Sequence, residues 1–204
     1  MALVLDGSAN TIGGLAVGGL PDGSVALADL ATTGTASNAT FLRGDGAFAA
    51  AGGGKFESYA IIADQKSSTT QGGAFTSGAW RTRDLNTEIA DADGIVSISS
   101  NQFTLGAGSY LIRGYASVYR TNGHQVRLYN VTDSAEVAVG CNGMSHSSYY
   151  TMNPSTVTGR VTITGSTVFE FQHRCANTTN TYGYGQKISW GTEQYALVEI
   201  FKES

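Results

Sequence analysis

A chain of 204 residues with 14% charged side chains, 27 glycines and a net charge of −4 has room for one well-buried domain plus an appendage, not for two full-sized domains. It has no basic run, so the electrostatic footprint that phosphate backbones require is missing and nucleic acid is excluded as an expected partner. No apolar run reaches the roughly 18 residues of a membrane span, and the opening Met1-Ala2-Leu3-Val4-Leu5-Asp6-Gly7 has no basic n-region, so a soluble chain made in a cytosol, with no membrane partner, is expected.

Residues 1–54 are rich in Gly and Ala and almost free of aromatics before Phe41 and Phe48, too little to bury a core alone. Asp6-Gly7, Asp22-Gly23 and Asp45-Gly46 read as turns between short apolar pieces, and residues 25–30, started by Ser24, fit a helical turn or two. Residues 49–54 form a small-residue linker, which places the boundary between an N-terminal segment, 1–54, and a C-terminal domain, 55–204.

From Phe56 the pattern becomes short, alternating, β-branched and aromatic, broken by turn residues, the signature of an all-β sandwich. Strands are predicted over 57–63, 79–84, 95–99, 102–105, 108–120, 125–131, 136–140, 155–164, 167–174, 186–190 and 194–202. Asn122-Gly123 is the strongest hairpin signal, because a type I′ turn needs φ > 0 at both central residues. In the long strand, Tyr110, Ile112, Gly114, Ala116 and Val118 oppose Leu111, Arg113, Tyr115, Ser117 and Tyr119. One set fills the core. The other still holds two tyrosines and a leucine and, with Val198, Ile200 and Trp190 near the end, predicts a second buried contact that an oligomer would supply.

Catalysis finds no anchor in this chain. His124, His146 and His173 lack metal-ligand spacing, no nucleophile-elbow motif is present, and Glu88, Asp91 and Asp93 read as a solvated turn, with a calcium loop through Asp91 and Asp93 as the minor alternative. No enzyme activity, cofactor or metal is expected. Cys141 and Cys175 read as free thiols, since two cysteines in an unsecreted chain make no framework, though their pairing stays open. Arg43-Gly44-Asp45 reads as turn chemistry rather than an integrin motif, and the three sequons as chance.

The order Gly94-Ile95-Val96-Ser97, then Phe103-Thr104-Leu105-Gly106-Ala107-Gly108-Ser109-Tyr110-Leu111-Ile112, then a closing Tyr195-Ala196-Leu197-Val198-Glu199-Ile200-Phe201 resembles the C1q and tumour-necrosis-factor-like jelly rolls. That resemblance covers about 55–202 and implies an all-β jelly-roll sandwich behind a short irregular connector. Thr33-Gly34, a few small residues, and then Thr40-Phe41-Leu42-Arg43-Gly44-Asp45-Gly46-Ala47-Phe48 is similar to the connector of many tailed-bacteriophage fibre proteins. There an aromatic, commonly Trp, closes the pattern; Phe48 takes its place. Residues 1–23 also resemble the opening of phage fibre and appendage proteins.

These resemblances imply a virion protein assembled in the host bacterial cytoplasm, a homotrimer whose residues 1–54 dock to other virion structural proteins and whose β head is displayed outward. Two loops rich in Tyr, Ser, Asn and Gly have paratope-like chemistry and suit sugars: one carries His146, Tyr149 and Tyr150, the other Asn180, Tyr182 and Tyr184. Packing of these tyrosines along a threefold axis is the equal alternative. The expected function is a tail or head fibre that binds a host-surface glycan or protein, with a capsid decoration or cement protein as the second reading.

Overall fold

The computed structural model describes residues 4–6, 11–13, 33–50 and 55–204; the helical turn expected over 25–30 and the linker residues 51–54 lie outside the described residues. The chain divides into two units, Met1–Gly52 and Gly53–Ser204.

In the first unit β1 (Val4–Asp6) pairs antiparallel with β2 (Thr11–Gly13), and β3 (Thr40–Leu42) with β4 (Phe48–Ala50). The second hairpin accounts for the motif around it. Gly46, at φ +80°, closes the turn by donating its N–H to the Arg43 carbonyl, while Asp45 Oδ1 accepts from the Ala47 N–H at 3.1 Å. Thr33 lies alongside: its carbonyl accepts from the Phe48 N–H at 2.7 Å, and its own N–H reaches the Gly46 carbonyl at 3.2 Å. A Cβ on Gly34 would stand 2.4 Å from the Phe48 carbonyl oxygen, so the close approach requires glycine. The Thr-Gly and Asp-Gly-x-Phe halves of the motif thus staple one another. Asp45 is paired with Arg43 at 3.4 Å within the same turn.

The second unit is built from β5 (Phe56–Lys66), β6 (Arg81–Thr82), β7 (Thr87–Ala90), β8 (Val96–Ser99), β9 (Gln102–Leu105), β10 (Gly108–Ala116), β11 (Asn122–Asn130), β12 (Ala135–Ser145), β13 (Ser155–Ile163), β14 (Thr167–Cys175) and β15 (Glu193–Glu203). They form two antiparallel sheets, ordered β13-β10-β15-β5-β7 and β12-β11-β14-β9-β8, with β6 added to β14. Of the eight principal strands the first pairs with the last, β5 with β15; then β9 pairs with β14, β10 with β13 and β11 with β12. Nested pairs that alternate between two sheets are the jelly-roll winding, so the fold class is set by the pairing itself.

Alternation fills the space between the sheets with Ile62, Phe103, Tyr110, Ile112, Leu128, Phe169, Phe171, Val198 and Ile200. Fully burying a side chain of this size contributes about 1.5–3 kcal/mol. The inward set of β10 is the expected one. Val198 and Ile200, expected on the outer face, belong to the core instead. The outward residues of β15 are Leu197, Glu199 and Phe201, which stand in register with Tyr115, Arg113 and Leu111 of β10.

The Asn122-Gly123 hairpin does not form. β10 and β11 lie in different sheets, residues 117–121 cross between them, and Asn122, at φ +59°, opens β11 while its Oδ1 accepts from the Ser147 N–H at 2.9 Å. The two-residue loop with both φ positive is Ser100-Asn101, at +52° and +64°, between paired Ser99 and Gln102. Residues 186–190 are not a strand either: the Glu193 carboxylate accepts from the Ile188 and Ser189 N–H groups at 3.0 and 2.7 Å and bends the chain into an arc. Those backbone bonds, Ile188's foremost, hold the Glu193 carboxyl below its usual range. Trp190 on that arc is 93% exposed. Asp91 caps its own turn, its carboxylate accepting from Ile95 and Val96 N–H at 2.8 and 3.0 Å.

The nested pairing gives the head two distinct ends. Phe56 pairs with Glu203, and the Ser204 N–H donates to the Lys55 carbonyl, so the chain enters and leaves at one end. Lys66 pairs with Glu193, Ala116 with Ser155 and Asn122 with Ser145 at the other, the length of a nine-residue strand or about 27 Å away.

Candidate ligand-binding loops at the far end of the head

Four segments meet at that far end: the β5–β6 connection 67–80, the crossing 117–121, the β12–β13 connection 146–154 and the β14–β15 connection 176–192. Arg83, fully buried, ties the 117–121 and 176–192 segments to β15 from below. It donates to the carbonyls of Ser117, Tyr184 and Tyr195 at 3.4, 3.4 and 3.0 Å, and its guanidinium lies 4.0 Å over the Tyr184 ring. Asp64 faces it at 3.8 Å and also pairs with Lys66 at 2.9 Å, which bonds Asp84 at 2.8 Å. Burial pulls Arg83 below its ordinary value and raises the Asp64 carboxyl.

Beside this network the buried His124 and His173 share a hydrogen bond, Nδ1 to Nε2, at 3.0 Å. Burial, with Arg83 adding, pushes His124 down to about 4 and His173 well below the usual imidazole value, so both rings are neutral at pH 7. Gly143 makes room for His124, since a Cβ there would meet its Cε1 at 2.3 Å. An open groove of about 640 Å³ adjoins them, lined by His124, Gln125, Met144, Arg174 and Cys175. Cys175 is free, and burial pushes its thiol up to about 11; neither it nor the imidazole pair is an armed nucleophile. Cys141 is a free, exposed thiol. Among the described residues no group of three or more His, Cys, Asp or Glu is placed to hold a metal ion, and no helix is long and apolar enough to cross a membrane.

Above the network lies an aromatic cluster centred on Tyr119, whose ring meets Tyr182 edge-on at 5.3 Å and Tyr150 at 6.3 Å. Arg120 joins the loops together. Its Nε donates to the Ser147 carbonyl at 2.7 Å, its N–H to Ser145 Oγ at 2.9 Å, and its carbonyl accepts from Thr179 Oγ1 at 2.9 Å. The guanidinium lies 5.7 Å from the Tyr150 ring centre and 6.0 Å from that of Tyr119, at the outer range of a cation–π contact. Two hollows flank the cluster: one of about 400 Å³ between Arg120, Ser147, Asn180 and Tyr182, the other of about 340 Å³ between Tyr119, Tyr150, Met152 and Ile188.

The six residues singled out in the sequence divide here. Tyr150, Tyr182 and Asn180 line the two hollows, with Tyr150 89% exposed. His146 and Tyr149 form a neighbouring pair with rings 4.7 Å apart on the same loop. Tyr184 does not belong to that surface: it is 9% exposed, stacked on Phe75 at 4.5 Å and covered by Arg83, so it packs the interior and cannot meet a ligand. Tyr119, Arg120 and Met152 also line the hollows; the first two fall at the tail of the strand that alternation predicts over 108–120. The signal was there in the successive burial-prone Val118 and Tyr119, which break the alternation.

Gly185 fixes the second loop. At φ +149° it leaves no space for a side chain, since a Cβ would fall 2.2 Å from Tyr195 Cδ1, and its N–H and carbonyl bond Tyr182 and Gly72. Gly185→Ala is therefore expected to lower stability by about 1–3 kcal/mol through overpacking and strain, read as a shift in urea midpoint; an unchanged midpoint would refute this account.

No family model matches the chain, and no curated protein sequence matches it. Among solved structures it is similar to murine APRIL at pH 8.0, with 9% identity over 71% of this chain and 98% of that one and a TM-score of 0.46. The globular domain of zebrafish complement 1qA protein gives 13% identity, 72% and 96% coverage and a TM-score of 0.45. Eiger TNF from S. frugiperda gives 8% identity, 72% and 92% coverage and a TM-score of 0.48. At such identities a likeness concerns fold alone, and the jelly-roll assignment stands on the nested strand pairing.

Proposed function

We propose that the protein is a homotrimeric bacteriophage virion appendage, a tail or head fibre, docked through residues 1–54 and binding the host cell surface, with glycan as ligand, through the far-end loops of its head. The observation that carries this reading is the Thr33 to Phe48 motif, similar to phage-fibre connectors, whose two halves are stapled by the Thr33–Phe48 and Thr33–Gly46 bonds. Two further features support it. The tyrosine loops lie at the end of the head opposite Lys55, where a displayed domain needs its contact surface. The outer face of the β13-β10-β15-β5-β7 sheet carries an apolar row, Leu111, Phe201 and Tyr59, followed by Tyr115 and Leu197, which suits burial between copies. Three weak sites on one rigid trimer raise avidity without a tighter single contact.

Native mass spectrometry of the full chain is expected to show three copies. Tyr59→Asp, at a side chain 54% exposed on that row, is expected to give single chains of nearly unchanged fold. The head is expected to adsorb to host cells and compete with phage. A monomeric wild-type chain would overturn the trimer, and adsorption to no bacterial cell would overturn the attachment reading.

A further inference from the structure

Which chemistry would the far-end loops recognise? Segments 117–121, 146–153 and 176–190 contain no Asp or Glu, in a chain that has 16 acidic residues and a net charge of −4. Arg113, Arg127 and Arg160 each face a carboxylate, at 3.6, 3.3 and 2.6 Å. Arg120 faces none among the described residues, yet its position is fixed by the Ser147, Ser145 and Thr179 bonds. With Nε committed to Ser147, the two Nη groups remain as a fork at the hollow. Around that fork the side-chain amides of Asn177 and Asn180 and the hydroxyl of Tyr182 have no partner among the described residues, and all three line the same hollow. The Tyr182, Tyr119 and Tyr150 rings run from it to the second hollow.

A planar guanidinium with two free donors matches a carboxylate in bidentate geometry. A single cation also suits a monoanion better than a phosphate dianion, and uncommitted amides and a phenol match ring hydroxyls, while tyrosine faces give contact area to the apolar side of a sugar. We infer that the Arg120 hollow binds a carboxylate-bearing sugar of an acidic polysaccharide, Arg120 holding the carboxylate, Asn177 and Asn180 the hydroxyls, and Tyr182 and Tyr150 the ring faces. This deepens the attachment reading above and rests on it for the biological source of the sugar, but not for the binding chemistry.

The test is titration calorimetry of the full chain with an oligogalacturonate, a sialyl-oligosaccharide, the methyl ester of the same oligogalacturonate and galactose 6-phosphate. At least one of the two carboxylated oligosaccharides is expected to bind, and esterifying the oligogalacturonate or replacing Arg120→Met is expected to weaken binding about tenfold or more, the range of a lost charge-assisted pair. Arg120→Lys, which keeps charge but not the fork, is expected to recover only part, and Tyr182→Ala to lose affinity at an unchanged urea midpoint. Binding of neither carboxylated oligosaccharide, equal binding of ester and acid, full binding by Arg120→Met, or tighter binding of the phosphate sugar would each overturn the inference. Cell adsorption separates the two claims. Adsorption of the wild-type chain with no Arg120-dependent sugar binding removes the acidic-sugar site and leaves host attachment standing; Arg120-dependent sugar binding without adsorption to any cell does the reverse.

Discussion

Replacing Arg83 by methionine is expected to cost about 3–5 kcal/mol of folding stability, the range for removing one partner of a buried ion pair. Both Arg83 and Asp64 are fully buried. Without the guanidinium, Asp64 keeps only Lys66, and the carbonyls of Ser117, Tyr184 and Tyr195 lose a shared donor. The pair is not expected to be an efficient source of stability, because desolvating two charges offsets most of their attraction. Arg83→Met combined with Asp64→Leu should therefore recover most of the loss in urea unfolding. A single-variant loss below about 1 kcal/mol, or a double variant no better than the single one, would overturn this account. Two of those carbonyls, Ser117 and Tyr184, belong to the far-end loops, so Arg83→Met should also loosen that end of the head.

Acid should unfold the head in two separate windows. His124 holds a proton only below about 4 when folded, whereas the unfolded chain takes one up near 6.5. Between those values the unfolded state binds more protons, so stability is full above pH 6.5 and falls as pH drops toward 4. His124 alone contributes a fall of about 3 kcal/mol over that window, and His173, lowered in the same direction, adds to it. Glu170, Glu193 and Glu203 also have depressed values, but their stabilisation is lost only below about 4.5, where unfolded carboxylates protonate. Urea midpoints compared at about pH 7 and about pH 5 read the histidines, against which the raised Asp64 carboxyl acts with opposite sign. His124→Gln with His173→Gln should flatten that interval, and a wild-type midpoint constant across it would refute the assignment.

The strands of the head were legible because turn residues and alternation act locally; 102–105 coincides with β9, and the inward set of β10 is the one its alternation predicts. What alternation cannot encode is which strand each edge meets. Asn122-Gly123 has the local chemistry of a hairpin, yet β10 finds its partners in β13 and β15, and the crossing chain uses the left-handed Asn122 to enter the other sheet. β7 went unseen because Thr87-Glu88-Ile89-Ala90 is a short, half-exposed edge with no apolar alternation. Buried charges were equally hidden: Asp64 and Arg83 sit in segments where a lone charge reads as outward. At the site, composition found the tyrosines but not their direction. Tyr182-Gly183-Tyr184-Gly185 looks alike inside or out; the two glycines, which Phe75 and Tyr195 press against, were the sign that the segment turns inward.

Because β5 and β15 lie side by side along their full length, from Phe56–Glu203 to Lys66–Glu193, a load applied between Lys55 and the far-end loops runs parallel to the strands. The backbone bonds of that ladder lie across the load and share it at once, instead of opening one after another from an end. A head gripped by its loops and pulled from its entry strand is therefore loaded in shear. Its resistance to unfolding under such a load would be set by the β5–β15 ladder rather than by the average stability of the fold.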